Sequence, residues 1–363
     1  MTNIGSSNMI HRLRQQMTGD ERLINCHQQL HSVLNSVAAM AKAAANTECL
    51  DFSCTARPIE SHVIPDSFLR RLAGTRSVMT PHLEGGSIGS FDPMSKKTKP
   101  VFAGYCGKHD RALFPWETDG DLSLPLSAES QLMRVADAMW IEYELRAKIL
   151  AWAAEGISGA EIASWHRTPT AAEARILEIQ HDSWRASSAE MLAASADMDG
   201  LRTSLRRNLG LLDDGGPLAI VGSATVPAER GHFVLLADGA WIPDWHPLDG
   251  ATARPAPFVI SVLYDGHGTR LHFASTRAAE VPVRKMEHRF RSDACAAITF
   301  ILHWMRRGNF YWYLNPEEWA QFDQETKDIL ARDLRFGPFI SAAIYSNAGI
   351  EMHPVLRYGN GWG

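Results

Sequence analysis

The chain has little of what marks a membrane-spanning or exported protein. Its longer apolar runs, such as AAITFILHWM at 296–305, are well short of the roughly 18 residues that a helix needs to span a bilayer. The N-terminus, MTNIGSSNMIHRLRQQ, has no apolar stretch after its basic residues, so it does not resemble a signal peptide. We therefore expect a cytoplasmic protein that does not enter the membrane.

Cysteine is scarce, and the five that occur are an odd number spread over 363 residues. Disulfide frameworks are typical of short secreted chains, so this distribution favours metal binding or simple burial. Cys26 and Cys295 lie on apolar faces of expected helices and are predicted to be small buried side chains. The Walker-type phosphate loop, the G-x-G-x-x-G dinucleotide motif and the G-x-S-x-G nucleophile motif are all absent from the sequence.

The charge is unevenly distributed along the chain. The whole chain carries a net charge of −5 at pH 7, which gives no general attraction to nucleic acid. Residues 57–111, in contrast, hold nine Lys and Arg against five Asp and Glu, so this segment alone carries +4. A polyanionic partner is therefore compatible with this segment, although charge alone does not identify one.

The pattern of apolar residues predicts an α+β protein built in four parts. These are an N-terminal helix (1–47), an irregular region (48–120), a helical hairpin (121–212), and a small antiparallel sheet with closing helices (213–363). The sheet is expected to have about four strands, because four segments rich in Val, Ile, Phe and Leu are separated by Gly, Pro and Asp turns.

Two long helices are the clearest elements in the sequence. Apolar residues recur at three- and four-residue steps through 126–156 and again over about 171–209, and we expect the two helices to pair antiparallel. Residues 75–100 are instead expected to be an exposed loop with a basic tip, KKTK, at 96–99. The aromatic string FYWYLNPEEW at 310–319 is expected to pack on the sheet, with a stacking platform for single-stranded nucleic acid as the alternative.

Three cysteines and one histidine have the spacing of a metal site. Cys49-x4-Cys54 precedes the strand-like segment IESHVIP at 59–65, and Cys106-x2-His109 follows the basic loop. Three thiolates and one imidazole form a tetrahedral zinc site, and ligand pairs from separate segments hold small irregular regions together. A region of about 70 residues with little apolar core has reason to need such a link. The alternative is that the four residues are buried or exposed singly.

The order of these motifs resembles the zinc-stapled HNH nucleases of the ββα-metal family. Ser61-His62-Val63-Ile64-Pro65 is similar to the D-H-I-I-P signature, in which a strand carries the catalytic histidine between two zinc-binding cysteine pairs. In that family the second pair is followed directly by the residue that binds the catalytic metal (C-x-x-C-H), and Cys106-Gly107-Lys108-His109-Asp110 is the matching string. The resemblance covers roughly 49–117 and implies a zinc-stapled, ββα-metal-like N-terminal module.

The resemblance implies a metal-dependent nuclease in which His62 and Asp110 are catalytic. Asp110 would bind a divalent cation such as Mg²⁺, separate from the structural zinc. This cation would stabilise the charge that develops on the scissile phosphate. His62 would deprotonate a water molecule for in-line attack. Basic side chains around the site would bind the nucleic-acid backbone. These are Lys96, Lys97, Lys99, Lys108 and Arg111.

The chain departs from the family pattern at two positions. The aspartate before the histidine is Ser61, a poorer metal ligand, and no asparagine occurs between 47 and 120 to fill the middle motif position. Without the resemblance, His62 is an ordinary strand histidine and Asp110 a cap of the following helix. The alternative function is therefore a non-catalytic protein, in which zinc holds the region together and the surface binds nucleic acid or another protein.

The nuclease hypothesis leaves a separate role for the C-terminal two-thirds of the chain. That part would sense a signal, bind a protein partner or form a homo-oligomer, and no motif in it selects among these roles. The resemblance suggests bacterial defence against foreign DNA, an antiviral setting, as the context of a nuclease.

Overall fold

A computed structural model describes the chain between residues 36 and 331, with gaps. The described ranges are 36–38, 40–41, 48–51, 53–74, 77–82, 87–91, 101–119, 126–158, 171–227, 233–240, 256–294, 296–298, 300–301, 311–328 and 331. Several predictions lie outside them: most of the N-terminal helix, the basic tip with Lys96, Lys97 and Lys99, the residues Cys26 and Cys295, and the C-terminal tail. Within the described ranges, no helix is both long and apolar enough to cross a membrane.

Helices and antiparallel strands are mixed along the described chain, as predicted for the α+β class. The strands are β1 (Glu60–His62), β2 (Val78–His82), β3 (Ser87–Phe91), β4 (Val101–Ala103), β5 (Ile220–Pro227), β6 (Phe233–Ala240), β7 (Pro257–Tyr264), β8 (Gly268–Ser275) and β9 (Tyr311–Leu314). The helices are α1 (Asp66–Ala73), α2 (Gly107–Leu113), α3 (Trp116–Asp119), α4 (Ser127–Ser158), α5 (Ala171–Asn208), α6 (Glu280–Ser292) and α7 (Pro316–Gln321). Shorter helical stretches include 36–38, 296–298 and 324–328.

The chain divides into two compact units. One comprises residues 1–47 and 140–196, and the other comprises 48–139 and 197–363. The long helices α4 and α5 each contribute to both units, so a unit is not a continuous stretch of chain. The domain boundaries read from the sequence stay predictions.

In the first unit, α4 and α5 pair through buried serines of α5. Ser188 Oγ donates a hydrogen bond to the carbonyl oxygen of Ala147 at 2.8 Å, and Ser195 Oγ donates to the Glu144 carboxylate. The later residue on α5 therefore meets the earlier residue on α4, which is the arrangement of an antiparallel pair.

In the second unit, seven antiparallel strands form one sheet in the order β3-β2-β9-β6-β7-β8-β5. Four neighbours, β6, β7, β8 and β5, are the strands predicted from the sequence. The expectation of an exposed loop over 75–100 is wrong for the strands β2 and β3 within it. Val78 of β2 is fully buried, and Met79 pairs with Leu314 of β9, so this part of the loop is held by a partner distant in sequence.

The main core of the second unit lies on one face of this sheet. Apolar side chains of β5, β7, β8 and β9 pack there against α6 and against the helical residues that follow it. Fully burying each large side chain contributes about 1.5–3 kcal/mol, so this face contributes substantially to the stability of the sheet. Its largest members include Phe258, Phe273, Phe290, Phe300 and Trp312. The string at 310–319 therefore contributes a strand and a core tryptophan to the sheet.

Helix α6 also protects the open edge of the sheet at β5. The backbone N–H of Ser223 donates to the Glu287 carboxylate at 3.1 Å, and Arg291 Nε donates to the Ser223 carbonyl at 2.9 Å. Arg284 donates to the carbonyl of Val221 at 2.9 Å. Edge strands present unpaired backbone groups that can recruit other strands, and these side chains occupy such groups on β5.

Candidate metal centre

Two short strands and one helix position the candidate site in the second unit. Strands β1 and β4 pair antiparallel, with His62 opposite Val101, and helix α2 begins shortly after β4. Backbone hydrogen bonds hold the loop before β1 against the turn between β4 and α2. Leu50 N–H donates to the Gly104 carbonyl at 2.8 Å, and Ile59 N–H donates to the Tyr105 carbonyl at 2.8 Å. The two halves of the ligand set are thereby brought to the same place.

The four predicted zinc ligands lie together. Their sulfur and nitrogen atoms all lie within 4.8 Å of one another in the set Cys49, Cys54, Cys106 and His109. The Sγ atoms of Cys54 and Cys106 are 3.8 Å apart, and His109 Nδ1 lies 3.4 Å from Cys49 Sγ and 3.6 Å from Cys106 Sγ.

These distances fit a metal ion with tetrahedral coordination. Bond lengths of about 2.3 Å to sulfur and about 2.05 Å to nitrogen separate two sulfurs by about 3.8 Å, and sulfur from nitrogen by about 3.6 Å. The three cysteines are free thiols, so none is lost to a disulfide. The set can therefore hold a metal ion, and its soft thiolate donors with one imidazole are those that zinc prefers.

The surroundings of the two buried thiols differ. Burial raises the pKa of Cys49. The backbone N–H of Cys106 donates a hydrogen bond to Cys49 Sγ at 3.2 Å and lowers this pKa, but by less than burial raises it. The backbone N–H groups of His109 and then Lys108 lower the pKa of Cys106, which is the N-cap residue of α2. Thiolates are the metal-binding form of cysteine, and a helix N-terminus favours them. Helix α2 thus contributes to the site through its backbone as well as through His109.

A buried network of charged side chains adjoins this set. Asp137 of α4 is fully buried and accepts hydrogen bonds from Arg202 at 3.0 Å, from Arg206 at 3.4 Å, and from the Tyr105 hydroxyl. Burial, followed by the Asp137 charge, raises the pKa of Tyr105 well above its usual value. Burial disfavours the charged form of Arg206 and lowers its pKa. The attraction of the Asp137 charge and the interactions with Tyr105 have the larger combined effect, so the pKa of Arg206 is raised.

The sequence contains one signal for this network. Asp137 interrupts the otherwise apolar stretch Val135–Trp140 on α4, and a charged residue within such a stripe indicates a buried partner. Its partners Arg202 and Arg206 are one turn apart on α5, so they present two guanidinium groups on the same side of that helix.

The two predicted catalytic residues occupy different settings. His62 is half-buried on β1, and because paired antiparallel residues share a face, its side chain lies on the same face as Val101, which is 38% exposed. Ser61 points to the opposite face beside Phe102, is 1% exposed, and its hydroxyl has no hydrogen-bond partner. Asp110 lies in the first turn of α2 and is not its N-cap; its Oδ1 atom is buried without a hydrogen-bond partner.

The structure brings together the four predicted zinc ligands, and the residues it describes contain no second cluster of this kind. Among the described residues, the Cys and His set is the one group of three or more His, Cys, Asp and Glu side chains close enough to hold an ion. Lys108 and Arg111 are exposed on α2, where Arg111 Nε donates to the Gly107 carbonyl at 2.9 Å. They are the two predicted nucleic-acid contacts that fall within the described ranges.

Comparison with known proteins adds no relative from which a function could be transferred. No protein-family model matches the chain, and no curated protein or solved structure matches it. The chemistry of this centre therefore has to be argued from its own residues.

Proposed function

We propose that the chain is a metal-dependent endonuclease of the HNH type, with zinc bound by Cys49, Cys54, Cys106 and His109. The observation that carries this proposal is the antiparallel pair β1–β4 followed by α2, with two zinc ligands before the first strand and two at the start of the helix. This succession of strand, strand and helix is the one that the ββα-metal resemblance implies. The substrates would be phosphodiesters of DNA or RNA.

His62 and Asp110 are available for the proposed chemistry. His62 is half-buried on the same face as Val101, which is 38% exposed, so water can reach this face and the ring could accept a proton from it. A buried carboxylate oxygen without a partner costs about 1–3 kcal/mol, and Asp110 Oδ1 is such an atom. A bound divalent cation such as Mg²⁺ would satisfy this oxygen and stabilise the phosphate charge that develops during cleavage.

The exposed cations on α2 support a nucleic-acid substrate. Lys108 lies beside His109, and Arg111 beside Asp110, so phosphates of the flanking backbone could be bound next to the proposed reaction centre. A protein partner or homo-oligomer through residues 213–363, a cytoplasmic location and a role in antiviral defence stay predictions.

A second candidate function is a non-catalytic protein in which zinc stabilises a surface that binds nucleic acid or protein. The burial of Ser61 favours this function, because the position that carries a metal-binding aspartate in the HNH signature faces Phe102 and is inaccessible. The absence of a second metal-capable group within the described ranges also favours it.

Nicking of supercoiled plasmid DNA by the purified full chain with Mg²⁺ separates the two functions. Removing a general base typically costs about 10²–10⁴ in rate, so we expect His62→Ala to lose at least about 100-fold, and Asp110→Asn to lose Mg²⁺-dependent nicking. His267→Ala, in the exposed turn after β7, is the matched control and should nick like the wild type. Metal analysis should find one zinc per chain in all four proteins.

Two results would overturn parts of this proposal. The nuclease is rejected in favour of the binding protein by either of two results with zinc still bound. Either both variants nick plasmid DNA like the wild type, or the wild type cleaves neither plasmid DNA nor RNA under any divalent cation. A wild-type chain purified without stoichiometric zinc, and unable to take it up, rejects the metal centre itself.

A further inference from the structure

Arg206 donates hydrogen bonds to both chain segments that supply the zinc ligands. Its Nη1 donates to the carbonyl of Leu50 at 3.1 Å, and its Nη2 donates to the Tyr105 hydroxyl at 3.3 Å. Leu50 directly follows Cys49, and Tyr105 directly precedes Cys106. One guanidinium group from α5 thus links the immediate neighbours of two ligands that come from different parts of the chain.

The charge of this guanidinium is opposite to that of a loaded centre. Zn²⁺ with three thiolates and a neutral imidazole carries 2 − 3 = −1, whereas arginine stays at +1 under all ordinary conditions. The Arg206 side chain is 5% exposed, so salt screens its interactions only weakly.

The carboxylate beside Arg206 does not cancel this charge. Asp137 is shared between Arg206 and Arg202, so these three buried groups together carry 2 − 1 = +1. Two further acids lie near these groups. Asp199 pairs with Arg202 at 2.7 Å, and its side chain is 50% exposed. Asp51 is half-buried, accepts a hydrogen bond from Ser53, and its charge acts on both Arg206 and His109. Of the buried groups around Asp137, Arg206 is the one that donates a hydrogen bond to Leu50, next to Cys49.

We propose that Arg206 is the counter-ion of the metal centre and sets its affinity for zinc. It is a positioning residue: it stabilises the net negative charge of the zinc-bound centre, and its hydrogen bonds hold the two ligand segments together. The inference rests on the metal centre of the proposed function and not on nuclease activity. A purely structural Arg206 would stabilise the fold to the same extent with and without zinc.

Zinc affinity measured on the full chain by competition with a chelator of known affinity tests the inference. Arg206→Met removes the charge but keeps much of the apolar stem, while Asp137 keeps Arg202 as its partner. Residues that support metal ligands typically contribute 10–100-fold to metal affinity, so the Kd for Zn²⁺ should rise at least about tenfold. The matched control is Arg202→Met, since Arg202 shares Asp137 but the bond to Leu50 comes from Arg206.

The expected pattern is a change in Zn²⁺ affinity that a loss of stability does not explain. Both methionine variants should lower the melting temperature, but only Arg206→Met should raise the zinc Kd tenfold. Equal zinc affinities in the two variants, or an unchanged Kd in Arg206→Met, would overturn the inference. Should Arg206→Met not fold, Arg206→Lys decides: it keeps the charge and should bind zinc within about threefold of the wild type, and a larger loss rejects the counter-ion role. The outcome of the nicking assay affects neither result.

Discussion

His272 provides a pH dependence that can be worked out from the structure. It lies on β8 between Ser223 of β5 and Ser261 of β7, is 8% exposed, and neither ring nitrogen has a hydrogen-bond partner. Burial, with a smaller effect of the Arg270 charge, lowers the pKa of His272 to about 4. The neutral ring is therefore the form that the folded protein accommodates.

The direction of the effect follows from proton binding. In the unfolded chain the histidine pKa is about 6.5, so between about pH 6.5 and about pH 4 the unfolded state binds a proton that the folded state does not. The free energy of unfolding should therefore fall as the pH is lowered through this window. At about 1.4 kcal/mol per pH unit, the full contribution is about 3 kcal/mol.

The variant His272→Leu isolates this contribution. Leucine cannot be protonated and removes two unpaired polar atoms, so at pH 7.5 the variant should be as stable as the wild type or more stable. Urea unfolding of both proteins, followed by tryptophan fluorescence at pH 7.5, 6, 5 and 4.5, should show a stability difference that grows in favour of the variant as the pH falls. Other acids titrate in both proteins and cancel in this difference.

The control for this experiment is the exposed His267, which lies in the turn before β8. His267→Asn should leave the pH profile of the wild type unchanged. Parallel profiles for wild type and His272→Leu would show that His272 is protonated as easily in the fold as in the unfolded chain, and would refute the reasoning.

Two further predictions concern the backbone. Leu126, which precedes α4 and is 48% exposed, has a φ of 61°, a backbone conformation that costs a residue with a side chain about 1–2 kcal/mol. Leu126→Gly should therefore raise the free energy of unfolding by up to about 1 kcal/mol. A lower melting temperature would contradict the backbone strain assigned to Leu126. Glu287→Ala leaves the Ser223 N–H at the sheet edge without its acceptor, so it should cost about 1–2 kcal/mol and increase self-association. Thermal unfolding and light scattering measure both effects. Wild-type stability with an unchanged oligomeric state would contradict the protective role of Glu287.

The features that sequence reasoning predicted well depend on short-range patterns or rare residue types. The second long helix was expected over about 171–209 and is observed at Ala171–Asn208, because its periodicity persists over many turns. The cluster of Cys49, Cys54, Cys106 and His109, which could hold a metal ion, was predictable because few other roles place a cysteine pair and a Cys-x2-His in the same weakly apolar region. Both inferences used residues close together in sequence.

The features that were missed depend on partners far apart in the chain. Strand β2 contains Pro81 and is followed by glycines, so its own sequence is typical of a loop. It pairs along its length with β3, and the pairing of Met79 with Leu314 joins this hairpin to the distant strand β9. Asp137 stands out within the apolar stretch of α4, but its partners Arg206 and Tyr105 are identified only when α4, α5 and the Tyr105 segment come together. Which groups pair with a buried charge depends on tertiary contacts that no local pattern contains.

The connection between β1 and β4 makes the metal centre difficult to transplant. In a compact ββα unit that connection could be cut short, but here it contains β2 and β3, which belong to the seven-stranded sheet. A fragment ending near residue 120 would separate β2 from β9 and expose a sheet edge, and it would also lack Arg206. Grafting or expressing the centre by itself therefore requires redesign of the segment between its two strands.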